Sequence, residues 1–159
     1  MSDKKISIIN SFEEVEERRG TIYPEEFKAG FDGRVKRSLS DAVGLTQFGV
    51  NHVILEPGCI SSARHWHLNE EEFVLVMEGE VILETDAGET VLTPGMVVGF
   101  PAGNPDGHRI INKSDMPAVL FEVGTRCVDE EVTYPDIDML AKRENGVTIF
   151  TRKDGTPYK

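Results

Sequence analysis

The sequence of 159 residues has only two cysteines, one tryptophan and 17 basic residues against 28 acidic ones. Two cysteines, Cys59 and Cys127, are too few for a disulfide framework, and a cytoplasmic protein would keep them reduced. The formal net charge of -11 repels phosphate backbones and anionic lipids. This composition therefore argues against a nucleic-acid partner and against a membrane partner.

Long hydrophobic runs are also missing, and no stretch approaches the apolar length of a membrane span. The N-terminal residues 1–6 lack the apolar segment and the cleavage signature of a secretion leader. We therefore expect a soluble protein in the cytoplasm. Hydrophobic residues make up 39% of the chain, which is enough for the core of one domain.

What the sequence does contain is a series of short segments with strand character, separated by turn signals such as Pro57-Gly58 and Pro94-Gly95. Such spacing is typical of an all-β sandwich or barrel, and no helix-period window interrupts it. The predicted strands cover residues 47–56, 60–67, 73–77, 80–85, 89–93, 96–100, 107–112, 118–124 and 147–150.

The two ends of the chain are less regular. Ser11 is a candidate helix N-cap with Glu14 three residues on, which predicts a short acidic helix near residues 11–19 that stops at Gly20. We interpret residues 1–40 as an arm that packs on the body of the protein. Near residues 137–142 we expect a short helix or a turn.

The segment from His65 to Gly79 carries the chemistry. His65 and His67 lie one residue apart, and alternate side chains of a strand share a face, so both imidazoles can converge on one point. A carboxylate follows within a few residues. Two imidazoles and a carboxylate suit a divalent ion such as Zn, Fe, Ni or Mn. The alternative is a pair of solvated histidines.

The next segment, Phe73 to Met77, is apolar on both faces. One face should line the barrel interior, and the other needs a cover because a bare apolar sheet face is a liability. The arm, a second sheet or a second subunit could cover it, and this pattern motivates the hypothesis of a homodimer.

The spacing of these residues resembles the cupin superfamily of small jelly-roll barrels. In its first motif, glycine, His-x-His, a glutamate and a glycine match Gly58, His65, His67, Glu72 and Gly79, and the count back from Gly79 selects Glu72 from three consecutive glutamates. The gap after Gly58 is one residue longer than usual.

The second cupin motif is matched by Gly95, Pro101, Gly103, His108 and Asn112, with two extra residues before the histidine. Strict counting would place Asp106 at the histidine position. We favour His108 because it opens an apolar strand, whereas Asp106 belongs to the tight turn Pro105-Asp106-Gly107.

The whole chain also resembles a branch of single-domain bacterial cupins that share its His-Trp-His, Pro-Ala-Gly and Tyr-Pro-Asp-Ile-Asp segments. The resemblance implies an all-β, double-stranded β-helix or jelly-roll barrel at residues 41–126. Residues 1–40 would be the arm and residues 127–159 a C-terminal extension. It also implies that His65, His67, Glu72 and His108 bind one divalent transition metal.

Three imidazoles and one carboxylate leave open coordination positions, which a catalytic metal needs. We therefore expect a metal-dependent oxygenase, isomerase or lyase that acts on a small polar metabolite, with Glu72 and His52 as catalytic candidates. The alternatives are a non-catalytic sensor or binding module for a sugar or small acid, and a barrel that keeps its histidines as filler. The fold does not choose between them.

Overall fold

The computed structural model describes residues 5–158. Residues 1–4 and residue 159 lie outside the described residues. Residues 1–4 belong to the predicted arm and to the segment that was compared with a secretion leader. Within the described range the backbone forms thirteen strands, and their pairings are antiparallel. The strands are β1 (Glu17–Arg19), β2 (Arg34–Ser38), β3 (Phe48–Leu55), β4 (Trp66–His67), β5 (Glu72–Glu78), β6 (Val81–Thr85), β7 (Gly88–Leu92), β8 (Val97–Phe100), β9 (Arg109–Ile111), β10 (Ala118–Thr125), β11 (Glu130–Tyr134), β12 (Met139–Glu144) and β13 (Val147–Thr151).

The strands of the described range form three sheets, with the orders β1-β2-β3-β10-β5-β8, β13-β12-β11-β4 and β7-β6-β9. Helical structure is confined there to α1 (Leu39–Ala42) and two single 3-10 turns, Phe12–Glu14 and Glu25–Phe27. The predicted all-β jelly-roll barrel is confirmed. Among residues 5–158, no helix has the length and apolar character needed to cross a membrane.

The barrel interior is filled by alternate residues of the strands, because successive side chains of a strand point to opposite faces. On β5, Val74 and Val76 are buried in the barrel, whereas Phe73 and Met77 are 42% and 43% exposed on the outside. The interior cluster consists of Val53, Leu55, Cys59, Val74, Val76, Val81, Leu83, Leu92, Ile110, Ala118 and Leu120.

A second, smaller core joins the N-terminal arm to the C-terminal sheet. The Tyr23 ring makes edge-to-face contacts with Tyr134 at 5.5 Å, with Phe150 at 5.7 Å and with Phe31 at 5.4 Å between ring centroids. Aromatic pairs in this geometry add about 0.5–1.5 kcal/mol each beyond the area they bury. The arm is therefore held against the mouth of the barrel and forms part of its wall.

Several predicted elements differ from the structure at the chain ends. The predicted helix at residues 11–19 is wrong: Ser11 Oγ accepts a hydrogen bond from the Glu13 backbone, but the turn it caps ends at Glu14 and β1 follows. The chain after residue 127 contributes β11 and β12, which were not predicted. Residues 135–138 form a turn, one of the two forms expected near residues 137–142, and β12 begins at Met139. The proposed boundaries at residues 40 and 126 stay a prediction, although β1 and β2 pair with the barrel sheet.

The predicted strand at residues 60–67 is mostly irregular. Only Trp66–His67 forms a strand, while Ile60 and His65 make isolated bridges to Ile111 and His108. The segment between these bridges bends at residues 61–64, so its side chains do not alternate between two faces as those of a regular strand do.

Candidate metal centre

Three short pieces of backbone bring the histidines together. His65 and His108 face each other across a bridge, in which the His65 amide donates to the His108 carbonyl at 3.1 Å and the His108 amide donates back at 2.8 Å. His67 follows in β4, and Glu72 opens β5. The ring centroids of His65 and His67 are 5.0 Å apart, and those of His65 and His108 are 4.7 Å apart.

The carboxylate of Glu72 lies at the centre of the three imidazoles. Its Oε2 is 2.8 Å from His108 Nε2, 3.5 Å from His65 Nε2 and 3.5 Å from His67 Nε2. The ligand atoms of His65, His67 and Glu72 all lie within 4.8 Å of one another. The structure thus brings together all four residues that the sequence motifs selected.

Hydrogen bonds and packing fix the direction of two of the rings. His65 Nδ1 lies 2.9 Å from the Ala63 carbonyl, so Nδ1 carries a proton and Nε2 is directed towards Glu72. The His108 ring stacks on Phe100 with 3.5 Å between centroids and 6° between planes. Phe100 lies opposite Glu72 in the pairing of β5 with β8. The same strand pairing therefore positions the Glu72 carboxylate and the ring on which His108 stacks.

The charges in the cluster support an ionised carboxylate among imidazoles. Burial would raise the pKa of Glu72, but the hydrogen bonds of His108 and His65 and the charges of His65 and His67 outweigh it and hold the pKa well below the usual range. Burial lowers the pKa of His67 and of His108. Burial also opposes protonation of His65, yet the hydrogen bond and charge of Glu72 raise the pKa of that residue.

Two buried carboxylates that the sequence analysis did not select lie behind His67. Its Nδ1 is 3.7 Å from Glu70 Oε2 and 3.7 Å from Glu130 Oε1, and within residues 5–158 this buried nitrogen has no hydrogen-bond partner. Glu70 accepts from Arg143 Nη1 at 2.6 Å, and Glu130 accepts from the Leu68 amide at 2.8 Å. Both carboxylates lie on the side of the ring where their charge would stabilise a proton on His67 Nδ1 when its Nε2 binds an ion.

Glu70 belongs to the run of three glutamates from which the motif count selected Glu72. Glu130 lies on β11, which was not predicted. The segment Glu130–Tyr134, with its β-branched and aromatic residues, does have strand character that could have signalled it.

Other candidates from the sequence lie elsewhere. His52 is buried on the outer face of β3, opposite Val53, and stacks on Phe12 with 4.3 Å between centroids. It does not line the cavity at the histidines. Asp106 Oδ1 accepts from the Asp86 amide at 2.7 Å, so this carboxylate is used to hold the β6–β7 hairpin.

The two arginines next to the histidines point away from them. Arg64 forms a two-point ion pair with Asp136 and also contacts Asp86, and Arg109 pairs with Glu84. Trp66 lines a cavity of about 160 Å³ that also touches His67 and Glu72, so its ring is not confined to packing.

On the other side of the cluster a cavity of about 500 Å³ opens between the arm, the six-stranded sheet and the C-terminal sheet. His65, His67, Glu72 and His108 line its floor. Its size falls in the range of small-molecule sites, which span roughly 300–1,000 Å³.

The donor set fits a divalent transition ion. Three imidazole nitrogens and one carboxylate oxygen suit Mn, Fe, Co, Ni, Cu and Zn, and a set without thiolate is unlike a closed structural zinc site. The free Nδ1 of His67 between two carboxylates is the arrangement expected behind a ligating imidazole.

The fold and the site together define a jelly-roll protein with a His/Glu cluster at the mouth of the barrel. The family described as Cupin domain matches residues 51–124. A crystal structure described as a sugar phosphate isomerase from a cupin superfamily, from Silicibacter pomeroyi, is 46% identical, with a TM-score of 0.89 over 94% of this chain and 95% of that one. This chain belongs to the cupin superfamily.

A second crystal structure, described as a putative sugar phosphate isomerase from Acidithiobacillus ferrooxidans, is 34% identical with a TM-score of 0.71 over 76% of this chain and 77% of that one. The polyketide cyclase RemF from Streptomyces resistomycificus shares the fold alone, at 19% identity and a TM-score of 0.62 over 76% of this chain and 80% of that one. The comparison with curated proteins returned no match.

Proposed function

We propose that this protein is a metal-dependent isomerase that acts on a small phosphorylated sugar. The observation that carries the proposal is the cluster of three imidazoles around an ionised Glu72 at the floor of a cavity of about 500 Å³. Two similar chains, at 46% and 34% identity, are described as sugar phosphate isomerases, which favours an isomerase over an oxygenase or a lyase.

His65, His67, His108 and Glu72 would hold one divalent ion through imidazole nitrogens and Glu72 Oε2. When bound, such an ion acts as a Lewis acid that polarises a substrate carbonyl. Its identity among Zn, Fe, Mn and Ni is a matter for measurement, because the mixed nitrogen and oxygen donors suit all of them.

Interconversion of an aldose and a ketose needs a group that takes a proton from one carbon and returns it to the next. Glu72 is our candidate, because it is a carboxylate at the floor of the cavity and its lowered pKa keeps it ionised. Within residues 5–158, its Oε2 makes the contacts to the histidines, so Oε1 remains for the substrate. We assign no catalytic role to His52, which lies on the outer face of the sheet.

We also propose a homodimer formed through the outer face of the six-stranded sheet, where Phe73, Met77 and Val97 are exposed. Burial of such a face is favourable by about 25 cal/mol per Å² of apolar surface. A monomeric mass in solution at micromolar concentration would count against it. We place the protein in the cytoplasm, consistent with Cys59 and Cys127, which are both free thiols.

The test is an isomerisation assay in D₂O, in which NMR follows both conversion of aldose phosphates to ketose phosphates and exchange of the proton next to the carbonyl. Metal-loaded wild type should convert one member of a panel of pentose and hexose phosphates. His108→Ala and Glu72→Gln should lose the activity, and His52→Gln is the matched control that should keep it. A metal-loaded wild type that binds these compounds without exchange or conversion would instead be a binding module.

A further inference from the structure

One face of β2 presents cations to the cavity above the proposed metal centre. Arg34, Lys36 and Ser38 alternate along the strand and line this cavity, whereas Val35 points to the opposite face and is buried. The overall charge of the chain is -11, so basic groups directed into a shared cavity are not explained by the composition.

Three of the six arginine and lysine side chains that line the described cavity are already neutralised by carboxylates. Arg19 pairs with Glu17 at 2.7 Å and Arg126 pairs with Asp41 at 2.6 Å. Arg143 pairs with Glu70, as described above. These ion pairs leave little net charge for a ligand.

Arg34 and Lys36 are different. The Nη1 of Arg34 donates to the Gly20 carbonyl at 3.0 Å, but in the part of the chain that the structure describes its buried Nε has no hydrogen-bond partner. Within that same part, no carboxylate oxygen lies within 4.0 Å of Lys36 Nζ. Two neighbouring cations with unused donors are costly unless an anion joins them, because desolvated charge needs a partner.

The carboxylates that face Lys36 across the cavity are Glu122 and Glu72. Burial lowers the pKa of Lys36, and the charge of Glu122 opposes that effect. Glu122 is on β10, beyond ion-pair distance, and pairs across the sheet with Asn51 of β3.

We infer that Arg34 and Lys36 form an anion subsite that binds the phosphate of the substrate while the sugar reaches the histidine cluster. A guanidinium supplies directed hydrogen bonds to two phosphate oxygens and an ammonium supplies a mobile point charge, a combination suited to a dianion. Exposed Arg18 lines the same cavity and adds positive charge at the rim. This inference names the substrate class of the proposed isomerase and rests on that function.

The experiment measures binding by isothermal titration calorimetry on metal-loaded protein. The probes are inorganic phosphate, ribose 5-phosphate and glucose 6-phosphate. Each sugar phosphate is compared with the unphosphorylated sugar and with the corresponding sugar acid. Wild type should bind the phosphates more tightly than the neutral sugars and the acids. Lys36→Met should weaken phosphate binding at least about tenfold, since a hydrogen bond to a charged group is worth about 1.5–3 kcal/mol.

Three further variants make the result specific. Lys36→Arg keeps the charge and should stay within about threefold of wild type. Lys113→Met removes a lysine that pairs with Glu89 outside the cavity, and should leave phosphate affinity unchanged. Arg34→Lys should weaken phosphate binding as well. Because Arg34 also donates to the Gly20 carbonyl of the arm, an unchanged thermal unfolding temperature checks that the arm is still in place.

Equal phosphate affinity in wild type and Lys36→Met would overturn the subsite, because the anion would then be bound elsewhere, such as at the metal. Tighter binding of the sugar acids than of the phosphates would overturn the assignment to phosphate. Metal content, measured in the same samples, separates the two proposals. A protein without metal contradicts the proposed function, whereas a protein with one ion and no Lys36 effect contradicts only the subsite.

Discussion

Replacement of Asn112 by alanine should lower the free energy of unfolding by about 3 kcal/mol, because this motif residue connects three backbone segments. Its side chain is fully buried, and its Nδ2 donates to the Leu55 and Met116 carbonyls, both at 2.8 Å. Its Oδ1 accepts from the Ser114 amide at 2.9 Å. Each of the three bonds contributes about 1 kcal/mol net, and buried groups left without partners add to the loss.

Urea denaturation measures the effect directly, and the melting temperature should fall by about 6–12 °C at this chain length. Ser114→Ala is the matched control. It keeps the three bonds of Asn112 to the backbone but removes the hydroxyl that donates to Asn112 Oδ1 at 2.7 Å, so it should cost about 1 kcal/mol, well below the loss in Asn112→Ala. A loss below about 1 kcal/mol for Asn112→Ala would refute the assignment of this residue to the framework. Metal bound per folded chain should be the same in both variants.

Three other results are expected. Gly79→Ala should destabilise the protein by about 1–3 kcal/mol, because φ at this residue is 77° and an added Cβ would lie 2.7 Å from the Pro117 carbonyl oxygen; an unchanged urea midpoint would contradict this. Phe100→Leu removes the ring stacked on His108 and should weaken metal affinity about two- to twelvefold in a chelator competition, since such pairs are worth about 0.5–1.5 kcal/mol; equal affinities would show that the stack is not needed. Metal affinity should fall as pH falls from 8 to 5, first as His65 takes a proton at its raised pKa and more steeply below about 6.5, where His67 and His108 with their lowered pKa values follow; an affinity constant over this range would contradict the imidazole ligands.

The regular part of the barrel was predictable because alternation and turn residues fix short strands locally. The predicted segment at residues 118–124 matches β10, and the turn at Gly95 has φ of 89°, which favours glycine. The segment before His67 was not predictable in this way. It is held by two isolated bridges, from Ile60 to Ile111 of β9 and from His65 to His108 just before β9. The partner residues lie more than forty positions further along the chain.

The four central residues of the candidate site could be selected from the sequence, and the structure brings them close together, because motif spacing already contains the geometry of strands that meet at the barrel mouth. The structure places His108 rather than Asp106 against Glu72, as the character of the following strand indicated. Glu130 and Lys36 were missed because their positions in the site depend on how the chain ends pack on the barrel. The strand character of Glu130–Tyr134 could have indicated β11, but not its place behind His67.

The most direct test of the central claim is the metal content of protein purified without added metal. Elemental mass spectrometry measures the metal, and the result is expressed as ions per folded chain. The cluster of three imidazoles and Glu72 predicts about one divalent transition ion per chain in wild type and in His52→Gln, and less than about one tenth of that in His108→Ala and Glu72→Gln. The same metal content in all four proteins would contradict the site.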